Sequence, residues 1–382
     1  MAQFEDLRRG LSIGLQKERV VLLNSRQGKR PCRADSWVQA TLHAVERLVA
    51  ADTLFITSVG YNTWEFVLHA VNVAGGKQQI LLPPGENIKT AAEAVLADFR
   101  LDPARTSFGI VEARRPKGAR SDKWWWPERD RLALALADRI VAISLRPLSS
   151  FTRWVTEAPA LGKQVDERFR VEYQPVQDKV GYDFTQARLN PCFFEHWDYL
   201  THWTRSSLGR LPGESSFEFY HAICESDRYP RAAVDVLHRI LDEKLLRASS
   251  RFLRAGGRAV AFTSQNPLDA VKLMRWRRRY VCYSFEPYGV AIRRDIAREL
   301  GIRPVIYGPA ERYATLSDMD KPYFQNQGKA GADWLPEFEL RHLGDLDLKR
   351  IPGEALKVIV HSEQDRQYLP ADLPSEVIAL TI

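Results

Sequence analysis

The chain has 382 residues, 45% of them hydrophobic and 27% charged, with four cysteines and a net charge of +7. That length exceeds one comfortable core and predicts two domains, and no apolar run approaches the roughly 20 residues that a membrane helix needs. The start, Met1 to Arg9, lacks the charged-then-apolar order of a secretory signal, so a cytoplasmic protein is expected.

Cys32, Cys192, Cys224 and Cys282 are scattered, with no Cys-x-x-Cys and no histidine pair at metal spacing. This argues against a disulfide framework or a zinc site and predicts buried thiols. The charge is unevenly placed: residues 1–170 hold 26 Lys+Arg against 19 Asp+Glu, and residues 171–382 hold 29 against 29. A positive field over the first half favours a polyanionic partner, and a solvated basic surface explains it equally well.

Arg19 to Ser25 is a short apolar run ending in polar residues, as in a buried parallel strand opening into a loop. Trp37 to Ala50 carries apolar residues at helical spacing, and Thr53 to Val59 reads as a second strand. Thr63 to Ala74 is then helical, Gly75-Gly76 ends it, and Lys77 to Leu82 is a third strand stopped by Pro83-Pro84. Thr106 to Ala113 and Arg139 to Ser144 are further strands, with Asp130 to Asp138 helical between them. Alternation of this kind predicts an α/β domain with a parallel sheet covered on both faces and a ligand site at the carboxyl ends of the strands.

These segments resemble the DNA-processing protein A family over about residues 12–166. Val20 to Arg26 is similar to its Val-Gly-Ser-Arg opening, and Ser58 to His69 keeps the spacing of its Ser-Gly-x-Ala-x-Gly-x-Asp-x-x-x-His, with Ser58, Glu65 and His69 on matching positions. Trp126-Pro127-Glu128-Arg129-Asp130-Arg131 looks like its Phe-Pro-x-Arg-Asn-Arg, and Ser149 to Lys163 looks like a later loop. The sequence departs from the pattern where Val59 and Thr63 replace glycines, Glu65 replaces Asp and Asp130 replaces Asn. The resemblance implies a Rossmann-like fold for this α/β domain and a nucleic-acid or nucleotide ligand.

On the residues alone, Ser25, Arg26, Ser58, Gly60, Arg129 and Arg131 converge at the strand ends, where hydroxyls, loop amides and guanidinium forks suit phosphate oxygens. Glu65 joins them as a ligand-site residue. The other reading has Arg129 and Arg131 binding helix carboxylates such as Asp138. Arg114 to Trp126 combines five bases with three tryptophans, which suits single-stranded nucleic acid; alternatively one or two tryptophans plug the core and the loop packs on protein.

Residues 171–213 lose the alternation and read as an aromatic, packed connection, with His196 and His202 structural. From 214 to 382 an α+β domain is expected: a strand Phe217–His221, a helix Ala232–Leu246, and strands near Arg258–Thr263, Tyr280–Phe285, Gly289–Arg293, Arg303–Tyr307 and Ala355–His361. Phe219-Tyr220-His221, the helix ending near Ser249, Phe262-Thr263-Ser264 and Trp334 to Arg341 resemble segments of ADP-ribosyltransferase-like domains, although Lys244 stands where a turn glycine is expected. This resemblance implies NAD+ as ligand, with His221 on a ribose, Tyr283 or Tyr288 stacked on nicotinamide, Ser264 in the central strand, and Glu337 or Glu339 steadying an oxocarbenium-like ribose. The residue-level alternative pairs Glu337 and Glu339 with Arg341 or with the bases of Arg275–Arg279.

Together these expectations describe a prokaryotic sensor–effector protein, a first domain that binds nucleic acid or a nucleotide and a second that uses NAD+, as in phage defence. The alternative is a non-catalytic platform for single-stranded nucleic acid or a protein; a nucleotide hydrolase using Glu65 is disfavoured because no glycine-rich loop lies beside it. No metal is expected, and a homo-oligomer is left open.

Overall fold

The computed structural model describes residues 18–50, 52–85, 87–119, 121, 123–174, 179–185, 188–194, 196–249, 257–327, 337–373 and 375–382. Arg120, Asp122 and the Trp334–Pro336 part of the late motif lie outside the described residues. The chain forms two compact units. The first holds the described residues up to 174 and, again, Gly209–Pro230; the second holds the described residues of 179–208 and of Arg231–Ile382.

The first unit is built on six parallel strands: β1 (Glu18–Asn24), β2 (Thr53–Ser58), β3 (Lys77–Leu82), β4 (Thr106–Ile110), β5 (Arg139–Ser144) and β6 (Gln164–Asp166). Their spatial order is β4-β3-β2-β1-β5-β6. The helices are α1 (Ser36–Leu48), α2 (Asn62–Val73), α3 (Ile88–Phe99), α4 (Trp126–Leu136) and α5 (Ser150–Glu157). Val20, Val21, Leu22 and Leu23 are all buried, as a parallel strand covered on both faces requires. Val21 and Leu23 join Ile56, Ile140 and Ala142 in one apolar cluster, and Val20 and Leu22 join Phe55, Val141 and Ile143 in another.

β1 to β4 march outward on one side and the chain then returns to lay β5 on the other side of β1. The order therefore reverses between β1 and β5, the position at which open parallel sheets bind ligands. The ladder between these two strands is irregular at Leu23/Asn24, just before the chain leaves β1. α2 ends as its glycines require: Gly75 takes φ +70, with its N–H on Asn72 O, and the Gly76 N–H reaches Val71 O.

One expectation is corrected here. Phe217 to His221 is not a strand but part of helix α6 (Ser216–Glu225). Ser215 accepts from the Glu218 N–H while Glu218 reaches back to the Ser215 N–H, a capping box that outweighs the aromatic content of the segment. Phe219, Tyr220 and Ile223 then share one helix face and pack with Trp37, Phe66, Leu68, Ile80 and Phe99 of the first unit. A boundary at 214 is thus displaced, because 209–230 cluster with the first unit.

The second unit contains a seven-stranded sheet of β7 (Tyr199–Trp203), β8 (Ala259–Thr263), β9 (Gly289–Arg293), β10 (Arg303–Pro304), β11 (Glu339–Leu343), β12 (Leu356–Ser362) and β13 (Glu376–Thr381), in the order β10-β11-β8-β7-β9-β12-β13. Every neighbouring pair is antiparallel except β12 with β13. The supposed connection 171–213 thus contributes β7, the middle strand. Alternation fixes the two faces: Val290, Ile292, Val358 and Val360 pack with helix α7 (Ala233–Glu243) residues Val234, Leu237 and Leu241, while Ala291 and Ile359 face Phe193, Trp197 and Leu380.

Candidate functional site

The carboxyl ends of β1, β2 and β5 are tied into one mouth. The Ser25 N–H donates to Ser144 O at 2.8 Å, and the Arg146 N–H donates to Ser25 Oγ at 2.9 Å, so the loops after β1 and β5 are held together. The Tyr173 hydroxyl donates to Arg26 O at 3.1 Å. Arg26 and Arg146 are exposed, whereas Ser25 is buried and serves the loop junction.

After β2 the chain turns at Gly60, whose φ of +88 lies in the left-handed region that a side chain disfavours. This turn sets Tyr61 against Trp126, with ring centres 5.0 Å apart. Burial pushes the Tyr61 phenol up to about 12, with Arg26 opposing the shift, which places the Arg26 cation within electrostatic reach of the ring. Lys123 Nζ lies 4.8 Å from the centre of the Trp126 ring. The mouth thus gathers two exposed arginines, an exposed glycine turn and two half-buried aromatic rings.

Other residues expected in this site bond within the protein. Arg129 is only 2% exposed; its Nε and Nη2 both donate to Asp130 Oδ1 at 2.9 and 2.8 Å, and its guanidinium lies 4.9, 5.4 and 5.3 Å from the rings of Trp64, Trp125 and Trp126. It is a cation of the core, held by a carboxylate and three π-faces. Ser58 is buried in the sheet and donates to Leu81 O at 2.7 Å. Glu65 spends both oxygens within the protein: the Gly60 N–H donates to Oε1 and the Tyr220 hydroxyl to Oε2, each at 2.6 Å. Arg131 pairs with Glu128 on the surface at 2.7 Å, a contact weak enough to exchange. Both arginines thus bind carboxylates of their own helix, Asp130 and Glu128, in place of Asp138.

No family model matches the chain, and no curated relative does. One solved structure to which the chain is similar is DNA processing protein A from Streptococcus pneumoniae, at 15% identity and a TM-score of 0.29. The likeness covers 39% of this chain and 49% of that one, so the chain spans about half the length of the structure it matches.

In the second unit the expected NAD+ residues are dispersed in role. His221 belongs to α6 of the first unit, exposed and stacked on Phe217 at 5.6 Å, whereas Tyr283, Tyr288, Glu337 and Glu339 belong to the second. Tyr283 and Tyr288 are buried, their hydroxyls donating to Val180 O at 2.7 Å and Asp365 Oδ2 at 3.3 Å. Neither ring presents a face for stacking from solvent. Ser264 follows β8, its N–H on Phe338 O and its carbonyl on Arg294.

Glu339 receives Arg341 Nε at 2.7 Å and Nη2 at 3.3 Å, while Arg341 also donates to Pro322 O, Phe324 O and Gln325. The pairing alternative therefore describes Glu339. Glu337 differs: burial, then the neighbouring Glu339 charge, holds its carboxyl above the usual range, with Arg277 and Arg275 opposing. Sequence reading missed Tyr61, Arg146 and Tyr173 at the mouth; an aromatic directly after the Gly60 turn was the available signal. Among the described residues no group of His, Cys, Asp and Glu could hold a metal, and no helix is long and apolar enough to cross a membrane.

Proposed function

We propose that the first unit binds single-stranded nucleic acid, or a nucleotide of the same chemistry, at the mouth formed by Arg26, Gly60, Tyr61, Trp126, Arg146 and Tyr173. What carries the reading is that exposed Arg26 and Arg146 stand on the two loops joined through Ser25 where strand order reverses between β1 and β5, with Tyr61 packed on Trp126 after the neighbouring strand β2. Guanidinium groups follow a phosphate backbone and aromatic edges accept bases without strong sequence preference. The exposed bases Arg114, Arg115, Lys117 and Lys123 precede Trp126 and extend the positive field. The test is anisotropy of labelled oligothymidine across a salt series. Arg26→Ala and Arg146→Ala should each weaken binding and flatten the salt slope by about one. Binding unaffected by both variants defeats the proposal.

A second reading assigns NAD+ use to the second unit. Its support is narrowed to Glu337 and Glu339, neighbouring carboxyls of which Glu339 is held by Arg341 while burial and the Glu339 charge raise the proton affinity of Glu337. A carboxyl whose proton affinity is raised by burial suits a general-acid role. Nicotinamide release by the full chain, with and without oligothymidine, tests it; no release in either condition removes it.

A further inference from the structure

The carboxylate of Glu65 occupies the amide of the exposed Gly60 turn. Gly60 is exposed, its N–H is turned onto Glu65 Oε1 at 2.6 Å, and the other oxygen of the same carboxylate receives the Tyr220 hydroxyl at 2.6 Å. One anion therefore links the ligand loop to helix α6. Tyr220 is buried among Phe66 and Phe99, with ring centres at 6.3 and 6.1 Å, and sits 6.2 Å from His69. Burial and the neighbouring Glu65 push its phenol well above its ordinary range, so it remains a donor at any physiological pH.

Helix α6 has a particular place in the chain. It lies in 209–230, which cluster with the first unit, while residues 208 and 231 on either side belong to the second. Its other polar ties to the first unit run through Asp98, which accepts from Ser216 N at 2.9 Å, Ser216 Oγ at 2.6 Å and Arg210 Nη1 at 2.7 Å, through the Arg100–Glu218 pair at 2.5 Å, and, just past its last turn, through Arg33, whose N–H donates to Ser226 O at 2.7 Å and whose guanidinium pairs with Asp227 at 2.9 Å. These hold the two ends of the helix, and Tyr220 lies between them on its apolar face. Tyr220 is the contact that reports on the mouth.

We propose that an anionic ligand at the mouth displaces Glu65 from the Gly60 amide, and that the change passes through Tyr220 to loosen α6, the segment both of whose ends lead into the second unit. This rests on the binding reading above. The exchange conserves hydrogen bonds at Gly60, since a phosphate oxygen replaces a carboxylate oxygen. It leaves Glu65 free to turn to water, and the Tyr220 hydroxyl loses a fixed acceptor inside a packed face.

The experiment uses the full chain and oligothymidine. Binding is followed by anisotropy and the amides of residues 216–225 by hydrogen exchange on the same samples. Saturating oligothymidine should speed exchange in α6 by about tenfold or more. Tyr220→Phe should still bind, should exchange faster in α6 without ligand, and should show little further change on binding. Binding that leaves α6 exchange unchanged overturns the relay while sparing the binding reading, and so does a Tyr220→Phe response equal to wild type. Absence of binding overturns both.

Discussion

Asp130 takes two nitrogens of Arg129 on a single oxygen, at 2.9 and 2.8 Å, beneath a roof of tryptophan rings. Burial alone lowers the arginine's proton affinity and raises that of the aspartate, and each partner opposes the shift of the other. Arg129→Ala should therefore destabilise the protein by about 3–5 kcal/mol, because Asp130 is left with an uncompensated charge. The double change Arg129→Met with Asp130→Leu should recover much of that. Urea denaturation of the three proteins decides it, and a double variant no more stable than Arg129→Ala would refute the pairing as the source.

His69 gives a pH signature. It is 1% exposed, neither ring nitrogen has a partner, and burial, then the nearby His221, lowers it to about 4 from an ordinary 6.5. The folded protein thus binds its proton later than the unfolded chain, so stability is full above about 6.5 and falls as pH drops toward 4. The slope over that window should be roughly 1.4 kcal/mol per pH unit at most. His69→Phe, facing Phe217 and Tyr220, should flatten it in thermal melts. A wild-type slope in the variant would assign the acid sensitivity elsewhere.

The parallel sheet was legible because buried strands such as Val20–Leu23 advertise themselves as continuous apolar runs between helical periods. The second unit was less so. Tyr199–Trp203 looks like aromatic filler and becomes the middle strand only through partners near residues 263 and 289–293, which are far along the chain. Phe217–His221 carries aromatic residues that suit a strand, and the Ser215-x-x-Glu218 capping box just ahead of it is the signal that marks α6 as a helix. The site suffered similarly. Arg129 and Glu65 stand where phosphate ligands are expected, and only the surrounding tryptophans and the distant Tyr220 reveal that both are spent inside the protein.

The adjacent tryptophans should separate by function. Trp125 is buried while Trp126 is half-buried beside Tyr61. Trp126→Leu should weaken oligothymidine binding by about 1–3 kcal/mol, the range for a lost stacking contact. Trp125→Ala should instead lower stability by about 3–5 kcal/mol as a core truncation. Equal loss of binding without loss of stability in both would contradict the placement.

Glu337 and Glu339 should respond in opposite senses. Glu339→Gln removes the charge facing buried Arg341 and should lower stability. Glu337 has a raised folded value, so its ionisation works against folding as pH rises past the unfolded value, and stability tied to it is greater at lower pH. Glu337→Gln should accordingly hold or raise stability at neutral pH. Denaturant titrations at acidic and neutral pH check both, and a Glu337→Gln loss matching Glu339→Gln would remove the distinction.

The alternation of the chain between its units bears on synthesis. Phe219, Tyr220 and Ile223 complete an apolar cluster whose other members, Trp37, Phe66, Ile80 and Phe99, are translated long before. A nascent chain that has emerged only to residue 177 has all six parallel strands yet leaves that patch uncovered, and it stays so until α6 follows. Release of the first unit from the ribosome as a finished body is therefore deferred until part of the second has also been made.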